Sequence, residues 1–219
     1  TGEISEQILV LQRLLPVEER ISHIGVMGMG EPLANLDNLL PALDLATSKD
    51  GLGISARRIT ISTVGLPPGI HQLAELNTRF QLAVSLHAPN DELRNELVPV
   101  NKKIGIESIL TAADHYFDVS SRRLTFEYVL LDQINDQIVH AQQLVRILQY
   151  RNALLNVIPY NPVAGLPYKR PSQNSIMRFR DILEAGNINV QFRQLKGNEI
   201  DAACGQLRRK SVQIQQIDD

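Results

Sequence analysis

Arg58-Ile59-Thr60-Ile61-Ser62, the segment Gly69–Leu76 and then Gln81-Leu82-Ala83-Val84-Ser85-Leu86 are the stretch whose reading decides the fold. Two short apolar runs of strand character flank a segment of helical period. A connection long enough to hold a helix returns the second strand parallel to the first, through a right-handed crossover. The same alternation extends in both directions. Further strands are predicted at His23–Met27, Leu124–Leu130, Leu154–Ile158 and Asn189–Arg193, and helices at Ile4–Leu15, Leu36–Ser48, Asp91–Leu97, Ile106–Phe117, Gln137–Leu148 and Gln173–Ala185. Glu6, Asp37, Asp91 and Glu107 lie near helix starts, where carboxylates suit the dipole, and Gly186 is placed to stop the last helix. The pattern predicts an α/β fold with parallel strands, either an open doubly wound sheet or a barrel.

Both architectures put function at the carboxyl ends of the strands. Those ends hold the unusual residues. Gly28-Met29-Gly30-Glu31-Pro32 follows the first strand and Ser62-Thr63-Val64-Gly65 closes the second; Ser85-Leu86-His87-Ala88-Pro89 closes the third. Leu131-Asp132-Gln133-Ile134-Asn135-Asp136 follows the fourth and Pro159-Tyr160-Asn161-Pro162 the fifth. Five consecutive polar or glycine-bearing strand ends argue for one shared pocket.

The chain has 219 residues, 43% apolar and 21% charged, the make-up of an ordinary globular protein and a length suited to one domain over residues 1–219. It contains no apolar run long enough to span a bilayer and no basic-then-apolar leader, which makes the cytoplasm the expected location. Net charge is −2, but residues 165–210 carry nine basic side chains against four acidic ones. That asymmetry fits a polyanionic partner and equally a solvated charged surface.

At the single sites, two readings stand side by side. Gly28 and Gly30 let backbone amides approach a ligand, and Glu31 offers a carboxylate to an ammonium group, although Gly-x-Gly also makes tight turns. No third glycine completes a dinucleotide fingerprint, and no Gly-Lys-Ser/Thr makes a phosphate loop. His87 is either a core imidazole satisfied by the backbone or a strand-end functional group. Asn161 suits a turn, and its amide can also read an adenine edge. No Cys-x-x-Cys, His-x-x-x-His or His-Glu-x-x-His occurs, so no metal site is expected within this chain. Cys204 is the one cysteine, in Asp201-Ala202-Ala203-Cys204-Gly205. Alone it cannot form a disulfide or hold a cluster; it is a small buried hydrophobe or a sulfur with chemistry of its own, kept accessible by small neighbours.

Taken in order, Gly28-Met29-Gly30-Glu31-Pro32-Leu33, Thr60-Ile61-Ser62-Thr63, Ser85-Leu86-His87-Ala88-Pro89-Asn90-Asp91, Phe126-Glu127-Tyr128-Val129-Leu130, Ile158-Pro159-Tyr160-Asn161-Pro162 and Ala202-Ala203-Cys204-Gly205-Gln206-Leu207 resemble the RlmN/Cfr family. These are radical S-adenosylmethionine (SAM) RNA methyltransferases acting on adenosine. The resemblance runs from about residue 4 to 209 and is closest to the RlmN branch, which methylates carbon 2; the Cfr branch acts on carbon 8. It implies an incomplete parallel (β/α) barrel with SAM across the strand ends. Gly30 and Glu31 would contact the methionine end of SAM, with Ser62, Ser85, Leu86, His87 and Asn161 lining the rest of the site. Cys204 would carry the methyl group. In the family, SAM first methylates this cysteine. A second SAM, cleaved reductively by a four-iron four-sulfur cluster, yields a radical that takes hydrogen from the methylated sulfur, and the resulting carbon radical adds to the adenine ring. An electron-poor ring carbon reacts poorly with an electrophilic methyl group, which is why a radical route suits it.

The family's Cys-x-x-x-Cys-x-x-Cys cluster motif, its second catalytic cysteine and its N-terminal RNA-binding domain are missing from the sequence. The expectation is therefore an N-terminally truncated fragment, inactive alone, from an enzyme acting on 23S ribosomal RNA, with transfer RNA as a second substrate and a reductant for the cluster. The alternatives are carbon-8 methylation, a catalytically silent RNA- or SAM-binding relative, and a cysteine hydrolase pairing Cys204 with His87, His115 or His140.

Overall fold

In the computed structural model, residues 1–193 apart from 77 and 164 are described. The elements follow the predicted alternation: α1 (Gly2–Arg13), β1 (Ile24–Val26), α2 (Leu36–Thr47), β2 (Ile59–Thr63), α3 (Pro67–Glu75), β3 (Gln81–Ser85), α4 (Asp91–Leu97), α5 (Ile106–Ser120), β4 (Leu124–Leu130), α6 (Ile138–Leu148), β5 (Ala153–Pro159), α7 (Gln173–Ala185) and β6 (Val190–Phe192). The fold is α/β, with six strands in one sheet in chain order. An open doubly wound sheet would reverse its order at a switch point. Consecutive order is what an incomplete barrel requires.

By its contacts the chain forms two compact units whose segments interleave. The first comprises Thr1–Val26, Gly30–Ser85 and Ile104–Thr125, the second Met27–Met29, Leu86–Lys103 and Phe126 onward. In the first, β1 pairs in parallel with β2 and β2 with β3, Ile61 lying opposite both Val26 and Leu82. Ile59, Ile61 and Thr63 of β2 are buried, while Thr60 and Ser62 between them are only half-buried. Helices α3 and α5 bring Ile70, Leu73, Ile109, Ala112 and Tyr116 into this core, where the Tyr116 hydroxyl donates to the Phe80 carbonyl at 2.8 Å.

In the second unit β5 pairs in parallel with β6, Asn156 opposite Gln191. Strand β4 alternates strictly: Leu124, Phe126, Tyr128 and Leu130 are buried, and Thr125, Glu127 and Val129 half-buried. A parallel strand covered on both faces reads as continuous apolar sequence. The period of two in β2 and β4 therefore marks one packed face and one half-open polar face, the pattern of a barrel interior.

Several boundaries differ from expectation for local reasons. Helix α3 starts at Pro67, ahead of the apolar period, because proline suits the first helical position. Helix α4 keeps its expected bounds with Asp91 in the first turn, and its cap is Asn90, whose side chain accepts from Leu93 N at 2.9 Å. Gly186 ends α7 where expected, but with φ −81°, the left-handed residue being Asn187, φ 55°. A glycine is needed at 186 for packing, since a Cβ there would lie 2.5 Å from Val145 Cγ2.

Gly65 meets both demands on a glycine, with φ +95° and a Cβ position 2.9 Å from Ile109 Cγ2. Gly65→Ala should cost about 2–4 kcal/mol, combining left-handed strain with overpacking. Urea denaturation checks this; a loss below about 0.5 kcal/mol would contradict it.

Candidate functional site

In the first unit, Gly30 follows β1 with φ +97°, and a Cβ there would meet nothing within 4 Å. The backbone leading into Glu31 therefore borders open space. The Glu31 carboxylate is already engaged: Oε1 accepts from Leu33 N at 3.0 Å and Oε2 from Val64 N at 2.8 Å. It caps the 3-10 turn Pro32–Asn35 and ties it to the end of β2. Each oxygen keeps a second lone pair, so the clamp fixes an anion in place without spending its capacity for a cation. Ser62 lies on the half-buried face of β2 and Ser85 at the end of β3, also half-buried.

In the second unit, Leu86 is fully buried and its amide donates to the Glu127 carbonyl at 3.0 Å. What Leu86 contributes is the placement of its neighbour. His87 has φ 58°, and Ala88 N donates across it to Leu86 O at 2.8 Å. A three-residue turn with a central residue at positive φ is the rare, strained γ-turn. The His87 ring accepts at Nδ1 from Val129 N at 3.2 Å, and its carbonyl accepts from Asn135 Nδ2 at 2.9 Å. So His87 is bound to the backbone, as the structural reading of the sequence allowed, and is half-buried.

Burial, followed by the nearby Arg94 charge, lowers the His87 pKa to about 4. Unfolded, the ring takes a proton below about pH 6.5; folded, it resists until about pH 4. Its contribution to stability is complete above 6.5 and is lost as pH falls through that window, a few kcal/mol at most. Glu127 and Asp136, both raised mainly by burial, act in the opposite sense, binding protons more readily when folded. His87→Gln should accordingly flatten the loss of stability between pH 6.5 and 4.5, measured by urea denaturation. An unchanged slope would assign the effect to other groups.

Asn161 follows β5, half-buried. Its turn is held by Arg170, whose Nη1 donates to Pro159 O at 3.2 Å and Tyr160 O at 3.4 Å. The Tyr160 hydroxyl is buried and has no hydrogen-bond partner among the described residues. A buried hydroxyl without a partner calls for an explanation, and a ligand's polar group supplies one.

Sequence reading missed Arg94, Asn135 and Arg170. Their types carried no signal, because arginine in a helix and asparagine in a loop are ordinary; only their tertiary partners mark them. The imidazoles weighed for a hydrolase have local roles. His115 packs on His71 with ring centroids 5.0 Å apart, and His140 Nδ1 accepts from Gln137 N at 3.4 Å in the capping box of α6. Cys204, and with it Lys196, Arg208, Arg209 and Lys210 of the basic segment, lies outside the described residues.

The donor sets suit SAM. The first unit offers an anchored carboxylate for an ammonium group, open backbone at Gly30 and hydroxyls at Ser62 and Ser85. The second offers an imidazole, an amide at Asn161 and the buried Tyr160 hydroxyl, which has no partner among the described residues. The four-iron four-sulfur cluster that radical SAM methyltransferases use would take its thiolates from outside this sequence, since one cysteine cannot supply three and, among the described residues, no group of three or more His, Cys, Asp or Glu could hold a metal. No described helix is long and apolar enough to cross a membrane.

No family model matches the chain. It is 67% identical over 213 residues, 97% of its length, to a protein of Rhodopirellula baltica named probable dual-specificity RNA methyltransferase RlmN. It is 47% identical over 96% of its length to the protein of that name from Symbiobacterium thermophilum. The chain spans 57% of the length of each. Among solved structures, a radical SAM methyltransferase from Sphaerobacter thermophilus matches 94% of the chain with TM-score 0.88 and 41% identity, the chain covering 60% of that one.

Proposed function

The chain belongs to the RlmN family of radical SAM methyltransferases, and from this we propose that it is the SAM-binding part of an enzyme that methylates carbon 2 of an adenosine in 23S ribosomal RNA and in transfer RNA. The observation that carries the proposal is 67% identity across nearly the whole chain to a protein named for RNA methylation with dual specificity. When bound, SAM supplies a methyl group and, on reductive cleavage, a hydrogen-abstracting radical.

The residues of the chain bind and orient. Glu31, fixed by two backbone amides, holds the ammonium of SAM, and the backbone at Gly30 gives its carboxylate room to approach. Ser62 and Ser85 offer hydroxyls, His87 an imidazole N–H and Asn161 an amide to the ribose and adenine. Cys204 would accept the methyl group, a thiolate being a far better nucleophile toward it than an aromatic carbon. The basic side chains of residues 165–210 draw in the RNA phosphates.

Mass spectrometry of 23S and transfer RNA from cells with and without the gene tests this. The expected result is 2-methyladenosine in both RNAs that disappears on deletion. Loss of 8-methyladenosine instead would move the protein to the Cfr branch, and no change in either modification would leave a silent relative.

A further inference from the structure

The second unit holds His87 at its amide, its carbonyl and its ring, and one side chain, Asn135, links two of the groups involved. Asn135 is fully buried, and both of its N–H donors are used: Nδ2 donates to His87 O at 2.9 Å and Val129 O at 2.8 Å, while Oδ1 accepts from Leu131 N at 2.7 Å. Its own carbonyl accepts from the Tyr128 hydroxyl at 2.8 Å. The amide thus grips the carbonyl of His87 and the carbonyl of Val129, whose N–H fixes the ring at Nδ1. A nitrogen that accepts an N–H carries no hydrogen, so the neutral His87 ring is protonated at Nε2. Nothing in a free histidine favours φ 58°; the conformation persists because its surroundings impose it.

We propose that Asn135 is a positioning residue that keeps His87 in its left-handed turn with Nε2–H as a donor to a hydrogen-bond-accepting atom of SAM. The proposal rests on reading His87 as a cofactor contact. An aspartate of the same size would keep the acceptor for Leu131 N but lose both N–H donors and set an anionic oxygen against two carbonyls. An alanine would take a side-chain partner from one buried and two half-buried backbone groups.

Two readouts on the full protein test this: the His87 tautomer, from long-range proton–nitrogen NMR of histidine-labelled protein at pH 7, and SAM affinity by calorimetry. The wild type should show the Nε2–H tautomer. N135D should mix the tautomers and weaken SAM binding at least tenfold. H87A should weaken it similarly, and the double variant no further than either alone. If N135D does not fold, Y128F removes only the hydroxyl that steadies the Asn135 carbonyl, and should change both readouts in the same direction by a smaller factor. Variants that keep the wild-type tautomer and a SAM affinity within twofold would overturn the proposal. A shifted tautomer in N135D combined with unchanged SAM affinity in H87A would confirm that Asn135 positions His87 and overturn His87 as a cofactor contact.

Discussion

Cys204→Ala in the complete, cofactor-supplied enzyme is expected to reduce release of free 2-methyladenosine RNA to background, on the order of a thousandfold or more. The effect is this large because the proposed route has no substitute for the sulfur. The thiolate accepts the methyl group and then carries the carbon that joins the ring, so one atom serves both halves of the reaction. Serine in its place should be nearly as damaging, since a hydroxyl is a far weaker nucleophile at neutral pH than a thiol. Mass spectrometry of digested RNA after a timed reaction reads the result. Product release by Cys204→Ala within tenfold of the wild type would remove Cys204 from the mechanism and with it the central chemical claim.

How much of this was legible in the sequence differs by layer. The alternation of β-branched runs and helical periods in Arg58–Leu86 carried the fold, because burial of one face leaves a periodic trace in the chain itself. Strand β4 was found with its bounds intact, since Leu124, Phe126, Tyr128 and Leu130 alternate with half-buried neighbours. Helix ends were less visible. Helix α3 begins at Pro67 rather than Gly69, and α5 runs on to Ser120 rather than stopping at Phe117. At the candidate site, residue type was legible and residue use was not. Glu31 reads as a carboxylate for a ligand, but that its oxygens also hold Leu33 and Val64 follows only from where β1 and β2 end. Arg94 and Asn135 are ordinary in sequence and become decisive only when burial removes water as their partner.

Arg94 gives the largest expected effect on stability. The side chain is fully buried, with Nε donating to Leu86 O at 3.0 Å and Nη1 to Asn101 Oδ1 at 2.6 Å. Asn101 in turn donates to Asp91 Oδ1 at 2.8 Å and Asn95 Oδ1 at 2.9 Å. Burial lowers the Arg94 pKa to about 10 and Asp91 opposes the shift, so the guanidinium remains charged at neutral pH. A buried charge of this kind adds little net energy while its partners are present, but removing it strands them. Arg94→Ala leaves Asn101 Oδ1 without its donor, deprives Leu86 O of one of its two, and opens a cavity; the expected loss is about 3–5 kcal/mol. Arg94→Lys should cost less, because an ammonium keeps the charge but cannot span both acceptors with a rigid fork. Leu86 adjoins His87, so the damage should extend to the site: SAM affinity should fall in Arg94→Lys even where the protein stays folded. Urea denaturation and calorimetry together decide the matter. A loss below about 1 kcal/mol in Arg94→Ala would mean the cluster relaxes into another set of bonds. Undiminished SAM affinity in Arg94→Lys would confine the role of Arg94 to the fold.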